Sequence, residues 1–287
     1  MQQPIRVLVT GANKGIGYGI IEYSLQNSPA GKYQFLLGSR DVQRGNQARE
    51  KLLALFPQAS VEVVVLEVTS KESIDSLVKH LQVTGGVDAL INNAAIQTDN
   101  EGFVGPKQLQ ETQLVNYHSP RALIERFLAE GLINQNGKVI NISSLMGRFK
   151  PMFGHVDPFT EPALRNYATT LTLEELDAFV QKYEKEVLAP ETAKSWNAEP
   201  WFFYSHSKNF LSVYSAVLSR DERIIKKGIQ VYSACPGWCR TDLTAGQPAP
   251  QSYLEGAVTP FYLLELPRHI DPNLQGQFFS VSAKTPL

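Results

Sequence analysis

Ile5-Arg-Val-Leu-Val-Thr10-Gly11-Ala-Asn13-Lys14-Gly15-Ile16-Gly17 is the stretch that decides the fold of this chain. Its first six residues are mostly apolar and β-branched and stop at a glycine, which predicts a buried parallel strand. After Gly17, mixed apolar and polar residues run in helical fashion to about Asn27. Strand, glycine turn and helix in that order form the setting in which a loop seats the pyrophosphate of a dinucleotide. Glycines let backbone approach phosphate, and the helix N-terminus offers free N–H groups and the positive end of its dipole. The spacing is Gly-x3-Gly-x-Gly rather than Gly-x-Gly-x-x-Gly; a tight glycine turn with no ligand is the lesser alternative.

The alternation continues outward from this unit. Strands are predicted at 5–10, 33–39, 60–67, 88–92, 137–142, 229–235 and 276–281. Helices are predicted near 15–28, 43–56, 71–83, 107–130, 204–227 and 252–265. Regular alternation implies an α/β, Rossmann-type, doubly wound parallel sheet. The whole chain, 1–287, reads as one domain. One region breaks the rhythm, an insertion at 145–203 that contains Phe149-Lys-Pro-Met-Phe and an amphipathic helix at 172–187. Thr172 has the form of that helix's cap and Pro190 ends it. Leu173, Leu176, Phe179, Val180, Tyr183 and Val187 recur at three- and four-residue steps and need a surface to cover. The expectation is that this helix covers the flank that partner copies would otherwise use, leaving a monomer; a substrate lid is the other possibility.

The second strand, Tyr33-Gln-Phe-Leu-Leu-Gly-Ser39, ends without the acid that holds a ribose 2′-hydroxyl. Arg40 follows it and can fork onto a 2′-phosphate, with Lys14 as a second cation. Two cations and no acid at the strand tip favour NADP(H) over NAD(H). Asp41 reads as the N-cap of the next helix.

Some two hundred residues later comes Tyr204-Ser-His-Ser-Lys208. A phenol, with an ordinary pKa of about 10, is a poor base at neutral pH. Residues four apart share a helix face, and a cation there favours the phenolate. Either motif alone is weak; together they describe a redox enzyme with a tyrosine acid/base.

The chain has 287 residues, is 43% hydrophobic and carries a net charge of -1, which gives no reason to expect nucleic acid or an anionic membrane as partner. Cys235 and Cys239 are its two cysteines; they suit a reducing, cytoplasmic setting and suggest neither a disulfide framework nor a metal site. No histidine pair has ligand spacing, so no metal is expected.

Several motifs in the same order resemble the short-chain dehydrogenase/reductase family over nearly the whole chain. They are Thr10-Gly11-x3-Gly15-x-Gly17, Asn92-Asn93-Ala94-Ala95, Asn116, Asn141-Ile-Ser-Ser144, Tyr204-x3-Lys208 and Pro236-Gly237. Within the family, the insertion, Asn13-Lys14, Gly38-Ser-Arg40-Asp41 and Cys235-Pro-Gly-Trp-Cys-Arg-Thr241-Asp are similar to the monomeric NADPH-dependent carbonyl reductases. That resemblance implies a catalytic set of Asn116, Ser144, Tyr204 and Lys208. Ser144 would bind the substrate oxygen, with Ser143 the neighbouring alternative. Asn116 would support a water-mediated proton relay to Lys208, or be a helix-kink asparagine without a catalytic task. It implies cofactor contacts from Gly11, Asn13, Lys14, Gly15, Ile16, Gly17, Arg40, Glu67, Val68, Asn93, Ala94, Pro236, Gly237, Trp238 and Thr241. Leu145, Met146 and Trp238 would wall a cleft for a small hydrophobic carbonyl compound. Ala95 stands where the family has glycine, and Glu67 where it has aspartate. Ser205, His206 and Ser207 are expected to be helix-facing or solvent residues without chemistry. The alternatives are a dedicated terpenoid, alkaloid or steroid ketoreductase or alcohol dehydrogenase and, more distantly, a non-catalytic NADP(H) sensor, a reading that the presence of both Tyr204 and Lys208 disfavours.

Overall fold

Seven hydrophobic runs lie side by side as parallel strands in the computed structural model, which describes residues 3–98, 105–147, 169–188, 201–244, 247–280 and 283–284. The chain alternates β1 (Ile5–Val9), α1 (Gly15–Gln26), β2 (Tyr33–Ser39), α2 (Val42–Leu55), β3 (Ser60–Val65), α3 (Lys71–Thr84) and β4 (Val87–Asn92). It continues through α4 (Pro106–Gln113), a π-turn (Leu114–His118), α5 (Ser119–Ala129) and β5 (Ile133–Ile142). Then come α6 (Leu173–Leu188), α7 (Phe202–Leu218), α8 (Glu222–Lys226), β6 (Gln230–Cys235), α9 (Tyr253–Gly256), α10 (Val258–Glu265), β7 (Phe278–Ser280) and β8 (Ala283–Lys284).

The strand order is β3-β2-β1-β4-β5-β6-β7-β8. All neighbours are parallel except β7 and β8, an antiparallel edge pair that the sequence pattern did not announce. The central strands β1, β2, β4, β5 and β6 are largely buried on both faces, as their apolar runs require, while the edge strand β3 is partly exposed. On one face Leu8, Leu36 and Leu90 pack with residues of α3, α5, α6, α7 and α8. On the other, Val7, Val9 and Ile91 pack with α1, α2 and α10. The strand order changes direction between β1 and β4, the switch point at which parallel sheets of this kind form a crevice above the strand C-termini.

Several boundaries differ from the sequence reading for identifiable reasons. The expected helix at 107–130 is interrupted by the π-turn, in which Ser119 N–H bonds to the Leu114 carbonyl five residues back. The extra residue lets Leu109 before the turn and Leu123, Ile124 and Phe127 after it all reach the core, while Asn116 turns toward the loop after β4. The expected helix at 204–227 stops at Leu218, and Asp221 caps a separate α8 through Arg223 N–H at 2.8 Å; aspartate favours a cap over a helix interior. The helix at 252–265 is split at Ala257 because Pro260 has no N–H to give to the Gly256 carbonyl. β5 begins at Ile133, not 137; the polar run Asn134-Gln-Asn-Gly137 and a register shift opposite Val87–Ala89 hide its first half. Asp41 does cap α2, accepting from Gln43 N–H at 2.9 Å and Arg44 N–H at 3.0 Å.

The amphipathic helix of the insertion is α6. Leu176, Val180, Tyr183 and Val187 are buried in the main core, with Leu173 and Phe179 packed against it. Tyr183 meets the Phe210 ring of α7 edge-on at 5.1 Å, and Phe179 does so at 6.0 Å. Arg121 of α5 forks onto Asp177, one arm at 2.7 Å, and His118 Nε2 lies 2.7 Å from Glu184. Phe149 to Phe153 and Pro190 lie outside the described residues. Among the described residues no helix is long and apolar enough to cross a membrane.

This packing predicts that Leu176→Ala destabilises the protein by about 2–5 kcal/mol, the cost of emptying a core site. Urea denaturation measures it; a loss under about 1 kcal/mol is what a loosely held lid would give.

Candidate functional site

The glycine loop sits at the crevice. Gly11 and Gly15 have φ of +62° and +57°, a region that favours glycine. A Cβ on Gly17 would lie 2.8 Å from the Gly11 carbonyl oxygen, so only glycine allows helix α1 to start so close to β1. The loop after β4 braces it: Asn93 Nδ2 donates to the Thr10 carbonyl at 2.9 Å and the Gly11 carbonyl at 3.2 Å. Thr10 Oγ1 accepts from the N–H groups of Asn93 and Ala94, both at 3.0 Å. A Cβ on Gly11 would lie 3.0 Å from Ala94 Cα, so the two loops pack closely.

Helices α2 and α3 are capped by Asp41 and Ser70, but Lys14 at the N-cap of α1 makes no side-chain capping bond, and the first turn of α1 carries no acid. A positively ended helix start without its own acceptor, under a loop with glycines at positive φ, fits a pyrophosphate. Lys14 stands 2.5 Å from Asp242, and Arg40 4.0 Å from Glu67 Oε2. Both cations are well exposed on the rim, so these pairs are weak and exchangeable. Glu67 Oε1 also accepts from Thr69 Oγ1 at 3.0 Å, and Val68 is buried beside it.

The residues expected to do chemistry converge at the end of β5. Tyr204 and Lys208 lie one turn apart in α7, with the Lys208 ammonium 5.8 Å from the centre of the Tyr204 ring. Lys208 is buried, and Nζ donates to the Ile142 carbonyl at 2.8 Å. Burial lowers its pKa to about 8, with the neighbouring Cys235 partly opposing that shift.

The two serines after Ile142 separate cleanly. Ser143 is buried; its hydroxyl donates to the Lys208 carbonyl at 2.9 Å and pairs with Ser212 Oγ at 2.6 Å. Ser144 is only partly buried, and its Oγ accepts from Met146 N–H at 3.1 Å within the short turn 145–147. Gly147 seats that turn on α7: a Cβ there would be 2.7 Å from Asn209 N and from Lys208 C. Asn209 Nδ2 donates to the Gly147 carbonyl at 2.7 Å.

The loop after β6 closes the other side. Cys235 Sγ accepts from Leu145 N–H at 3.2 Å and Gly237 N–H at 3.3 Å, which joins the 145–147 turn to Pro236–Gly237. Gly237 has φ of +84°. Thr241 lies against Gly15, and Ile16, Cys239 and Gly256 crowd together. Leu145 and Met146 are half-buried and Trp238 is exposed, so the surface they present is apolar. Neither cysteine forms a disulfide; burial raises the pKa of the Cys239 thiol to about 11.

Asn116 is brought to the site but not onto Lys208. Its Oδ1 accepts from Ile96 N–H and its Nδ2 donates to the Ile96 carbonyl, both at 2.9 Å. Nδ2 also donates to Ser207 Oγ at 3.0 Å.

Two residues of the tyrosine motif carry more structure than the sequence suggested. His206 is not a solvent residue: it is buried, stacked on Tyr183 of α6 at 5.1 Å and 23°. Its Nδ1 lies 2.6 Å from the Phe202 carbonyl, and burial lowers its pKa to about 3, which keeps the ring neutral. Ser207 is fully buried between Asn116 and Tyr204. Helical spacing does not reveal their partners, which lie on α6 for His206 and on the π-turn for Ser207.

Comparison with known proteins gives the family of the chain. The family described as short chain dehydrogenase matches residues 6–157. The NADPH carbonyl reductase 1 of Sus scrofa is 34% identical over 279 residues, covering 94% of this chain and 90% of the pig protein. The (+)-neomenthol dehydrogenase of Arabidopsis thaliana is 29% identical, covering 97% of each. Among solved structures, salutaridine reductase from Papaver somniferum superposes with a TM-score of 0.77 at 22% identity, over 96% of this chain and 99% of that one, a likeness of fold.

The serine pair gives a stability test. Ser143→Ala is expected to cost about 1–3 kcal/mol, because it removes the hydroxyl that pairs with Ser212 and the Lys208 carbonyl in the interior. Ser144→Ala is expected to stay within about 0.5 kcal/mol of the parent. Thermal denaturation of both variants checks the contrast, and equal losses would contradict it.

Proposed function

Since the chain belongs to the short-chain dehydrogenase family, we propose that it is an NADPH-dependent reductase of ketone, aldehyde or quinone carbonyls, working through Ser144, Tyr204, Lys208 and Asn116. The observation that carries this reading is the Lys208 ammonium anchored on the Ile142 carbonyl at the end of β5 and 5.8 Å from the Tyr204 ring, with Ser144 two residues beyond Ile142 and an uncapped glycine loop suited to a pyrophosphate. NADPH, when bound, supplies the hydride. The glycine loop with Asn13, Ile16, Asn93 and Ala94 would hold it, Lys14 and Arg40 would hold its 2′-phosphate, Glu67 and Val68 would lie by the adenine, and Pro236, Gly237, Trp238 and Thr241 would line its nicotinamide end.

Tyr204 gives its proton to the carbonyl oxygen as that oxygen gains charge. Ser144 holds the same oxygen by a hydrogen bond, which polarises the carbonyl. The Lys208 ammonium stabilises the phenolate left behind, and Asn116 supports proton return from solvent. The group at Lys208 must be charged for this, and its pKa of about 8 sets an alkaline limit to activity in the free enzyme. Leu145, Met146 and Trp238 suit a hydrophobic substrate. A dedicated terpenoid ketoreductase or alcohol dehydrogenase is the second reading, favoured by the end-to-end likeness to the Arabidopsis enzyme. An NADPH-oxidation screen over quinones, aromatic aldehydes, ketosteroids and monoterpene ketones separates the two and tests both.

The insertion, as part of a single domain, makes the protein a monomer in this reading. α6 lies on α5 and α7, a flank on which partner copies could otherwise pack, and buries four apolar side chains there at about 1.5–3 kcal/mol each.

Three outcomes are expected. Tyr204→Phe lowers turnover by roughly 10²–10⁴-fold while cofactor affinity, read by fluorescence titration, is largely kept; parental turnover in the variant sinks the mechanism. Joint replacement Lys14→Ala and Arg40→Ala lowers the NADPH-over-NADH ratio of kcat/KM by about tenfold or more, since each charged bond contributes about 1.5–3 kcal/mol. An enzyme that uses both cofactors equally from the start contradicts the assignment. Light scattering coupled to size exclusion shows a single species at the chain mass of 31.9 kDa; a stable tetramer rules the monomer out.

A further inference from the structure

Ser207 has no part in the mechanism just described, yet it stands at the junction of three segments that form the cleft. It is fully buried in α7, between Tyr204 and Lys208. Its hydroxyl donates to the Tyr204 carbonyl at 2.7 Å and accepts from Asn116 Nδ2 at 3.0 Å. Asn116 is in turn held on both sides of its amide by the backbone of Ile96, in the loop after β4. The path runs from the β4 loop through the π-turn into the first turn of the helix that carries Tyr204. The bond from Asn116 Nδ2 to Ser207 Oγ ties the π-turn to that helix. A π-turn is the least regular part of a helix, and its position needs such a fixing contact.

The chemistry of the junction is specific. A hydroxyl can donate and accept at once, which alanine cannot. The donation to Tyr204 O uses the single hydroxyl proton, so the oxygen is left to face Asn116 as an acceptor. The orientation of the Asn116 amide follows, since Nδ2 must face both the Ile96 carbonyl and Ser207.

We infer that Ser207 is a positioning residue of the reaction: it sets the distance and orientation between the Tyr204–Lys208 turn and the π-turn bearing Asn116. The inference rests on the reductase reading above. Ser207 touches neither substrate nor cofactor in this arrangement. It acts through the backbone of Tyr204 and the amide of Asn116, and its loss lets the two turns drift apart. Displacements of about 1 Å at a reacting centre cost up to 10²-fold in rate. The Lys208 ammonium, which faces Tyr204 and Cys235, also sits in a less closed setting once the turn loosens.

The test compares Ser207→Ala, Ser207→Thr, Asn116→Ala and the double alanine variant with the parent, using full-length protein and an aromatic aldehyde or quinone that the parent reduces. Ser207→Ala is expected to lower kcat roughly 10- to 100-fold with KM for carbonyl and NADPH little changed. The alkaline limb of its kcat/KM profile moves to higher pH, because Lys208 becomes easier to keep charged. Ser207→Thr keeps the hydroxyl and recovers most of kcat. The double variant is no slower than the slower single variant, as expected for groups acting as one unit.

A merely structural serine gives a different result: a lower melting temperature, an unmoved pH limb, unchanged kcat per folded molecule, and losses that multiply in the double variant. Any of the last three overturns the inference. Should Ser207→Ala fail to fold, the threonine and Asn116 variants still decide through their pH limbs: an unmoved limb in Asn116→Ala overturns it. A parent that reduces no carbonyl at all overturns the reductase reading first, a result separate from a parent that is active and indifferent to Ser207.

Discussion

The buried ammonium of Lys208 is the constraint around which the site is built. Removing a charge from water costs free energy unless hydrogen bonds replace its solvation. Here one bond runs to the Ile142 carbonyl at the end of β5, and the ring of Tyr204 lies within cation–π range. That bond anchors α7 to the end of β5. Ser143 then closes on the Lys208 carbonyl, and Gly147 lets the following turn lie directly on the helix backbone. With Lys208 placed, the positions of Tyr204, Ser144 and the wall formed by Leu145 and Met146 are no longer independent.

A band of asparagines and hydroxyls carries this order across the strand ends. Asn141 accepts from Asn92 Nδ2 and donates to Ser215 Oγ of α7, both at 2.8 Å. Asn93 holds the glycine loop through the Thr10 and Gly11 carbonyls. Asn116 and Ser207 link the β4 loop to α7. Buried polar groups in such a chain must be matched geometrically, because each unmatched one costs about 1–3 kcal/mol. The cofactor loop and the tyrosine helix are nearly two hundred residues apart in sequence, yet a continuous set of bonds makes them one rigid edge.

The insertion contributes to this rigidity as well as covering apolar surface. Tyr183 of α6 stacks on His206, and Phe179 and Tyr183 both meet Phe210, so three aromatic contacts press the helix of the insertion onto the helix of Tyr204. His206 stays neutral in this setting, with Nδ1 against the Phe202 carbonyl.

By itself the sequence determined the parallel sheet, the glycine loop, the cap at Asp41, the apolar stripe of α6 and the pairing of Tyr204 with Lys208. These are local properties: periodicity, capping chemistry and i,i+4 spacing act over a few residues and survive in any context. Only the tertiary structure decided which of Ser143 and Ser144 is buried, where Asn116 points, that His206 faces α6, and that Cys235 joins two loops. It also decided the π-turn at 114–118 and the break of the helix after Leu218. Each of these depends on a partner between roughly twenty and ninety residues away or on a backbone bond that side-chain pattern does not encode. A serine beside a serine, or an asparagine within a helix, has no preferred direction until the packing of other elements supplies its donor or acceptor.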